Sequence, residues 1–136
     1  MKNLFRIAVL FTLLFSLSAC GGGDGPDADS EEAKVIEAYE AAWNEQDIDG
    51  VMALYAEDAV EKNPLGTFTG QSQIRDVTNM AMETFALECG NYKLNGNTLT
   101  YECVLKDYGD DADRTEIYEA VIENGKIKSN IFTGNK

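Results

Sequence analysis

The side chains of this sequence that could do chemistry are carboxylates and phenols. The chain has 24 acidic residues, six tyrosines and no histidine. Without histidine, no Ser–His or Cys–His pair can activate a nucleophile, and the commonest metal ligand is missing. A carboxylate is therefore the general base to look for, and Asp58 and Glu61 are the candidates for that role.

A second group of acidic residues crowds one short segment of the chain. Its members are Asp107, Asp110, Asp111 and Asp113. Calcium prefers several oxygen ligands, but this spacing matches no known calcium loop, and like charges in a loop are usually hydrated. The segment therefore indicates a solvated hairpin tip, and the sequence predicts neither a metal nor a cofactor.

The charge balance of the chain is strongly acidic, with a formal net charge of −13. Nucleic-acid binding depends on basic side chains that displace counterions from phosphates. The sequence therefore predicts no nucleic-acid partner.

The amino terminus has the features of an export signal. Lys2 and Arg6 precede an apolar run over residues 7–17, which ends in Leu17-Ser18-Ala19-Cys20. A bilayer is spanned by roughly 20 apolar residues, so this run is too short for a transmembrane helix. We expect residues 1–19 to be removed as a signal peptide.

Leu-Ser-Ala-Cys resembles the lipobox of bacterial lipoproteins, whose cysteine carries the lipid. The resemblance implies acylation of Cys20, for example with palmitate, and a membrane anchor in the bacterial cell envelope. Gly21 stands where an aspartate often marks inner-membrane retention. This favours the outer membrane if the cell has one, and otherwise the outer face of the cytoplasmic membrane. Residues 20–29 carry glycines and aspartates but no large apolar side chain, which predicts a flexible tether.

Three helices are expected at the beginning of the folded part, residues 30–136. Asp29 or Ser30 can cap the first, Asp47 can cap a short second helix, and a third is expected over residues 71–84. The apolar face of the first helix comprises Val35, Ile36, Tyr39, Ala42 and Trp43.

The remaining chain has the pattern of a β-sheet. The segment 63–66, Asn-Pro-Leu-Gly, indicates a turn between two short strands, and Asn95-Gly96 and Asn124-Gly125 are hairpin signals. They predict strands near 87–94, 97–106, 114–123 and 126–133. The fold class is therefore α+β, a cone in which three N-terminal helices pack on a curved, mainly antiparallel sheet.

Cys89 and Cys103 remain once Cys20 carries a lipid, and an exported protein favours a disulfide between them. A three-residue hairpin loop would place the two cysteines opposite each other. A two-residue turn would instead pair Tyr92 with Leu99 and point the cysteines to opposite faces, unless the second strand has a bulge. Two buried free thiols are the alternative.

Residues 39–59, YEAAWNEQDIDGVMALYAEDA, resemble the opening of ketosteroid isomerases. More broadly, the sequence is similar to the SnoaL-like group of the nuclear transport factor 2 (NTF2-like) superfamily over about residues 33–133. The resemblance implies that Tyr39 matches the oxyanion-hole tyrosine. It also implies that Asn63 stands in place of the aspartate base and Tyr118 in place of the protonated aspartate. Because an amide cannot abstract a proton, isomerase activity is not expected.

The residues expected to line the cone and bind a ligand are Tyr39, Trp43, Tyr55, Asn63 and Tyr118. A core filled by these aromatics, a binding pocket and a catalytic pocket all remain open. The leading hypothesis is a non-catalytic envelope lipoprotein that binds a small, partly hydrophobic ligand or a protein partner. The alternatives are a SnoaL-like or isomerase-like enzyme that uses another carboxylate, and a module that forms a homodimer through the open face of its sheet.

Overall fold

The computed structural model describes residues 24–107 and 112–136. The predicted signal peptide, residues 1–19, and the predicted lipidation site Cys20 lie outside these residues. The elements are α1 (Glu31–Asn44), α2 (Ile48–Ala53), β1 (Tyr55–Asn63), β2 (Gly66–Thr69), α3 (Gly70–Met82), β3 (Phe85–Asn95), β4 (Thr98–Asp107), β5 (Arg114–Glu123) and β6 (Lys126–Asn135). The α+β class is confirmed. In the part of the chain that the structure describes, two helices precede the sheet, because α3 follows the β1–β2 hairpin.

The sheet is mixed, with the strand order β2-β1-β6-β5-β4-β3. Only β1 and β6 are parallel; the other neighbours are antiparallel. Helix α1 packs against β3 and α3 against β1, so the two longer helices cover opposite halves of the sheet. None of the helices within the described residues is long and apolar enough to cross a bilayer.

The helices begin where the sequence predicts. Ser30 caps α1 by accepting a hydrogen bond from the Ala33 amide at 3.1 Å, and Asp47 caps α2 by accepting one from the Gly50 amide at 2.9 Å. Each cap satisfies an amide that has no partner inside its helix. Tyr39 is among the buried residues of α1.

The two glycine-containing hairpins differ. Asn124 and Gly125 both have positive φ, 52° and 70°, as the predicted type I′ turn requires. The other turn comprises Gly96 and Asn97, because Asn95 pairs with Thr98.

Cys89 and Cys103 form a disulfide between β3 and β4, with their Cα atoms 4.0 Å apart. Both considered registers are wrong near the turn, since Leu94, not Tyr92, lies opposite Leu99. The register shifts between Gly90 and Lys93, so the bulge is in the first strand of the hairpin, not in the second. Asn91, with φ 56°, lies in this bulge, and asparagine tolerates that conformation.

Residues 24–29 are docked on the edge of β3, which corrects the prediction of a flexible tether for this part. The Asp24 carbonyl accepts from the Tyr92 amide at 3.0 Å, and the Asp27 carboxylate accepts from the Leu94 amide at 2.8 Å. Gly25, with φ 119°, lies so close that a Cβ atom there would be 2.4 Å from the Tyr92 nitrogen. A larger residue than glycine would therefore displace the segment.

Candidate functional site

A cavity of about 590 Å³ lies inside the cone, between α1, α3 and the sheet. The cone is therefore not filled by its aromatic residues. This volume lies within the usual range for small-molecule sites. The residues that matter for its chemistry are Tyr39, Trp43, Glu61, Phe85, Tyr101, Arg114, Glu116 and Tyr118.

Aromatic rings form two groups on the cavity wall. In the first, Trp43 lies 5.6 Å from Tyr39 and stacks on Phe85 at 5.4 Å, measured between ring centroids. In the second, Tyr101 stacks on Tyr118 at 5.6 Å. The Trp43 indole donates to the Phe85 carbonyl at 2.9 Å, which fixes the ring. The wall therefore offers rigid apolar surfaces to a ligand.

Glu61 places a carboxylate in the cavity, and the residue is only 6% exposed. The Tyr55 phenol donates to Glu61 Oε2 at 2.8 Å, and the Asn130 side chain forms a second hydrogen bond to this carboxylate. Asn130 is itself held in place, because its Oδ1 accepts from the Tyr101 phenol at 2.7 Å. Burial raises the pKa of Glu61 to about 7, although the two hydrogen bonds oppose the rise.

Glu116 is the second buried carboxylate of the cavity, and its surroundings differ from those of Glu61. Arg114 Nε lies 3.2 Å from Glu116 Oε1, and the Tyr118 phenol donates to Oε2. The Arg114 guanidinium also pairs with Asp107 at 3.0 Å and lies over the Phe85 ring, 5.4 Å from its centroid. The positive charge of Arg114 thus balances the negative charge of the Glu116 carboxylate.

One family matches most of the sequence. The family described as SnoaL-like domain matches residues 36–129. The chain belongs to the SnoaL-like family. No curated protein matches the sequence.

Solved structures share the SnoaL-like fold at low sequence identity. A Sinorhizobium meliloti protein described as a candidate polyketide cyclase has a TM-score of 0.68 and 18% identity, and the match covers 74% of this chain and 94% of that chain. TerC, crystallised with polyporic acid, has a TM-score of 0.66 and 16% identity, covering 76% and 91%. A protein with a ketosteroid isomerase-like fold from Catenulispora acidiphila, in complex with trimethylamine, has a TM-score of 0.63 and 18% identity, covering 74% and 85%. These similarities confirm the NTF2-like fold.

Four of the five expected lining residues of the SnoaL-like domain border the cavity: Tyr39, Trp43, Asn63 and Tyr118. Tyr55 does not border it; this phenol lies behind Glu61 and bonds to its carboxylate. Asn63 is at the β1–β2 turn, where its Oδ1 accepts from the Leu65 amide at 2.9 Å. The amide at the position of the family base therefore holds a turn.

Glu61 and Asp58, the two candidate bases, lie in different places in the fold. Glu61 lies inside the cavity, whereas the Asp58 side chain is 73% exposed and pairs with Lys128 on the outer surface. That hydrogen bond and the charge of Lys128 lower the pKa of Asp58. Asp58 is therefore excluded as the base of this cavity.

Sequence reasoning missed Glu116, Arg114, Tyr101 and Asn130. Strand alternation carries a signal for two of them, because Glu116 and Arg114 are two and four residues before Tyr118 and so share its face of β5. The others depend on pairings between distant strands. The described residues contain no metal-binding cluster of histidine, cysteine or acidic side chains. Asp110 and Asp111 lie outside the described residues.

Proposed function

We propose that the cone binds a small, largely apolar substrate and that Glu61 acts on it as a general acid–base catalyst. The observation that carries this proposal is the burial of the Glu61 carboxylate within a cavity of about 590 Å³. A perturbed carboxyl group in a cleft is a typical sign of a functional site. The alternative of a SnoaL-like enzyme that uses another carboxylate is therefore preferred to a non-catalytic role.

The protonation state of Glu61 suits proton transfer. With a pKa of about 7, both the acid and the carboxylate are populated at neutral pH. Tyr55 and Asn130 hold the carboxylate in one orientation. Glu61 would remove a proton from a carbon next to a carbonyl group and return it elsewhere on the substrate.

Tyr39 supplies the partner for the charge that develops in this step. Burial and the nearby charge of Glu61 raise the pKa of the Tyr39 phenol well above its usual value, so the phenol stays protonated. A protonated phenol in the cavity can donate to an enolate oxygen. This is the role that the resemblance to the isomerases implies for Tyr39.

The test uses 5-nitrobenzisoxazole, a flat and neutral compound that opens when a base removes its ring C–H proton. The chain from residue 20 with Cys20→Ser contains the whole described fold and carries no lipid. We expect it to accelerate ring opening over buffer, with kcat/KM rising with pH around a midpoint near 7. The product phenolate is followed by its absorbance.

Glu61→Gln should reduce kcat/KM at least 100-fold, because the amide keeps the shape of the side chain but cannot accept the proton. Asp58→Asn is the matched control, since that carboxylate lies outside the cavity, and it should retain the wild-type rate. Equal rates for wild type and Glu61→Gln would refute the proposed role of Glu61.

A non-catalytic binding function is the second candidate, and one observation favours it. The family base is replaced by Asn63, whose side chain is occupied by the Leu65 amide. Saturable quenching of Trp43, the single tryptophan, by 5-nitrobenzisoxazole without any ring opening would support this function.

We also propose that the protein is a lipoprotein of the cell envelope, anchored through Cys20. The charged start, the short apolar run and the Leu-Ser-Ala-Cys sequence support this proposal. Labelling of growing cells with an alkyne analogue of palmitate should mark the wild-type protein but not Cys20→Ser. Binding of a protein partner and dimerisation through the open sheet face stay predictions. A molecular mass measured by light scattering tests the second.

A further inference from the structure

The charges around the cavity are unbalanced. Among the described residues, Glu61 has no ion pair with lysine or arginine. Arg114 is the basic residue on the cavity wall, and its charge is shared between Glu116 and Asp107. With both glutamates ionised, the cavity therefore carries an excess of negative charge that no described side chain neutralises.

The side chains around the Glu61 carboxylate are neutral, and they come from five different elements of the fold. They are Tyr39 on α1, Tyr55 on β1, Tyr101 on β4, Tyr118 on β5 and Asn130 on β6. Burial keeps the four phenols protonated, since it raises the pKa of each of them. An ionised carboxylate in such surroundings is costly unless a cation joins it.

The aromatic wall of the cavity is suited to binding a cation beside Glu61. The rings of Tyr39, Trp43 and Phe85 lie on one part of the wall, and Tyr101 and Tyr118 on another. Ring faces attract ammonium groups, tryptophan most strongly, and aromatic cages are a common solution for alkylated ammonium ions. The same rings would bind the apolar part of such a ligand.

We infer that the ligand of this cavity is an apolar organic cation, such as a tertiary or quaternary amine, whose ammonium group lies beside Glu61 and against the aromatic rings. This inference rests on the proposed function, because it names the substrate class of the same site. An ammonium group on the carbon next to the carbonyl would further acidify that C–H bond, so charge pairing and proton transfer can use the same carboxylate. The net charge of −13 would attract a cation during encounter.

Binding of a cation should depend on the protonation of Glu61. A permanently charged ligand pairs with the carboxylate and not with the neutral acid. Affinity should therefore increase as the pH rises through about 7, where Glu61 ionises. A neutral ligand of the same shape should show no such increase.

The experiment compares trimethylphenylammonium with tert-butylbenzene, which has the same shape but no charge. Binding to the chain from residue 20 with Cys20→Ser is followed by the fluorescence of Trp43, the single tryptophan, which borders the cavity. At pH 8.5, we expect the cation to bind at least 10-fold more tightly than the neutral compound. At pH 5.5, this preference should fall at least fivefold.

Glu61→Gln should remove both the preference for the cation and its pH dependence, while tert-butylbenzene still binds and shows that the cavity is intact. Equal affinities for the two compounds in wild type would overturn the inference, as would a preference for the cation that survives in Glu61→Gln. In either case, ring opening of 5-nitrobenzisoxazole tests Glu61 as a base independently, so the proposed function and the ligand class fail separately.

Discussion

Glu61 and Glu116 are two buried carboxylates of one cavity, and they differ in what balances their charge. Glu116 has the Arg114 guanidinium at 3.2 Å and the Tyr118 phenol as partners. Glu61 has the Tyr55 phenol and the Asn130 amide, which donate hydrogen bonds but carry no charge. Burial alone therefore does not distinguish the proposed base from the other carboxylate. The pKa of Glu61, which has no cation beside it, rises to about 7.

The largest expected effect is the dependence of the unfolding free energy on pH that Glu61 causes. Burial raises its pKa from 4.5 to about 7, so between these values the folded state holds a proton that the unfolded state has lost. The contribution of Glu61 to stability is therefore largest below pH 4.5 and falls as the pH rises to 7. At 1.36 kcal/mol per pKa unit, the loss is roughly 3 kcal/mol. Urea unfolding at pH 4.5 and pH 8 measures it.

The variant Glu61→Gln should lack this loss, because an amide does not titrate. The difference in unfolding free energy between wild type and Glu61→Gln isolates Glu61 from other groups that titrate in this range. Asp58→Asn is the control and should keep the wild-type loss, because the pKa of Asp58 is lowered, below the tested range. A wild-type curve parallel to that of Glu61→Gln would contradict the raised pKa.

Removing the cation from Glu116 should make it resemble Glu61. In Arg114→Met, the side chain can still pack on Phe85, but Glu116, whose side chain is 6% exposed, loses its countercharge. We expect a loss of about 1–3 kcal/mol in unfolding free energy at pH 7. Adding Glu116→Gln should recover most of this loss, because an amide needs no cation. A double variant no more stable than Arg114→Met would be inconsistent with this explanation.

The smallest expected effect separates the two carboxylates by their phenol partners. Tyr55→Phe removes one donor from Glu61 and should cost about 1 kcal/mol. It should also move the pH midpoint of 5-nitrobenzisoxazole opening upward, because the carboxylate loses a hydrogen bond that favours its charged form. Tyr118→Phe removes the donor to Glu116 and should leave the midpoint unchanged. A midpoint that moves equally in both variants would argue against Glu61 as the titrating base.

Much of the fold could be predicted because it follows local rules. Ser30 and Asp47 cap helices through amides three residues away, and Asn124-Gly125 forms its turn from its own backbone preference. The helical spacing of Tyr39 and Trp43 was enough to place both on the cavity wall. The predicted SnoaL-like, NTF2-like fold is confirmed.

The features that sequence reasoning missed depend on contacts between distant segments. The bulge at Asn91 shifts the β3–β4 register, so counting back from the turn misplaced Tyr92. The alternation of β1 places Glu61 on the same face as Asn63, but only the packed fold shows that Glu61 is enclosed and that Asn63 holds a turn. The contacts of Tyr101 and Asn130 with the site depend on the pairing of distant strands and have no local sequence signal.

The docking of residues 24–29 on β3 has a consequence for how the protein sits in the envelope. Asp24, the first described residue, already forms hydrogen bonds to the domain, and it is only four residues after Cys20. Four residues of fully extended chain span at most about 14 Å. A lipid on Cys20, as proposed, would therefore hold the domain close to the lipid headgroups with one sheet edge toward them. Its orientation would restrict the directions from which a ligand reaches the mouth of the cone.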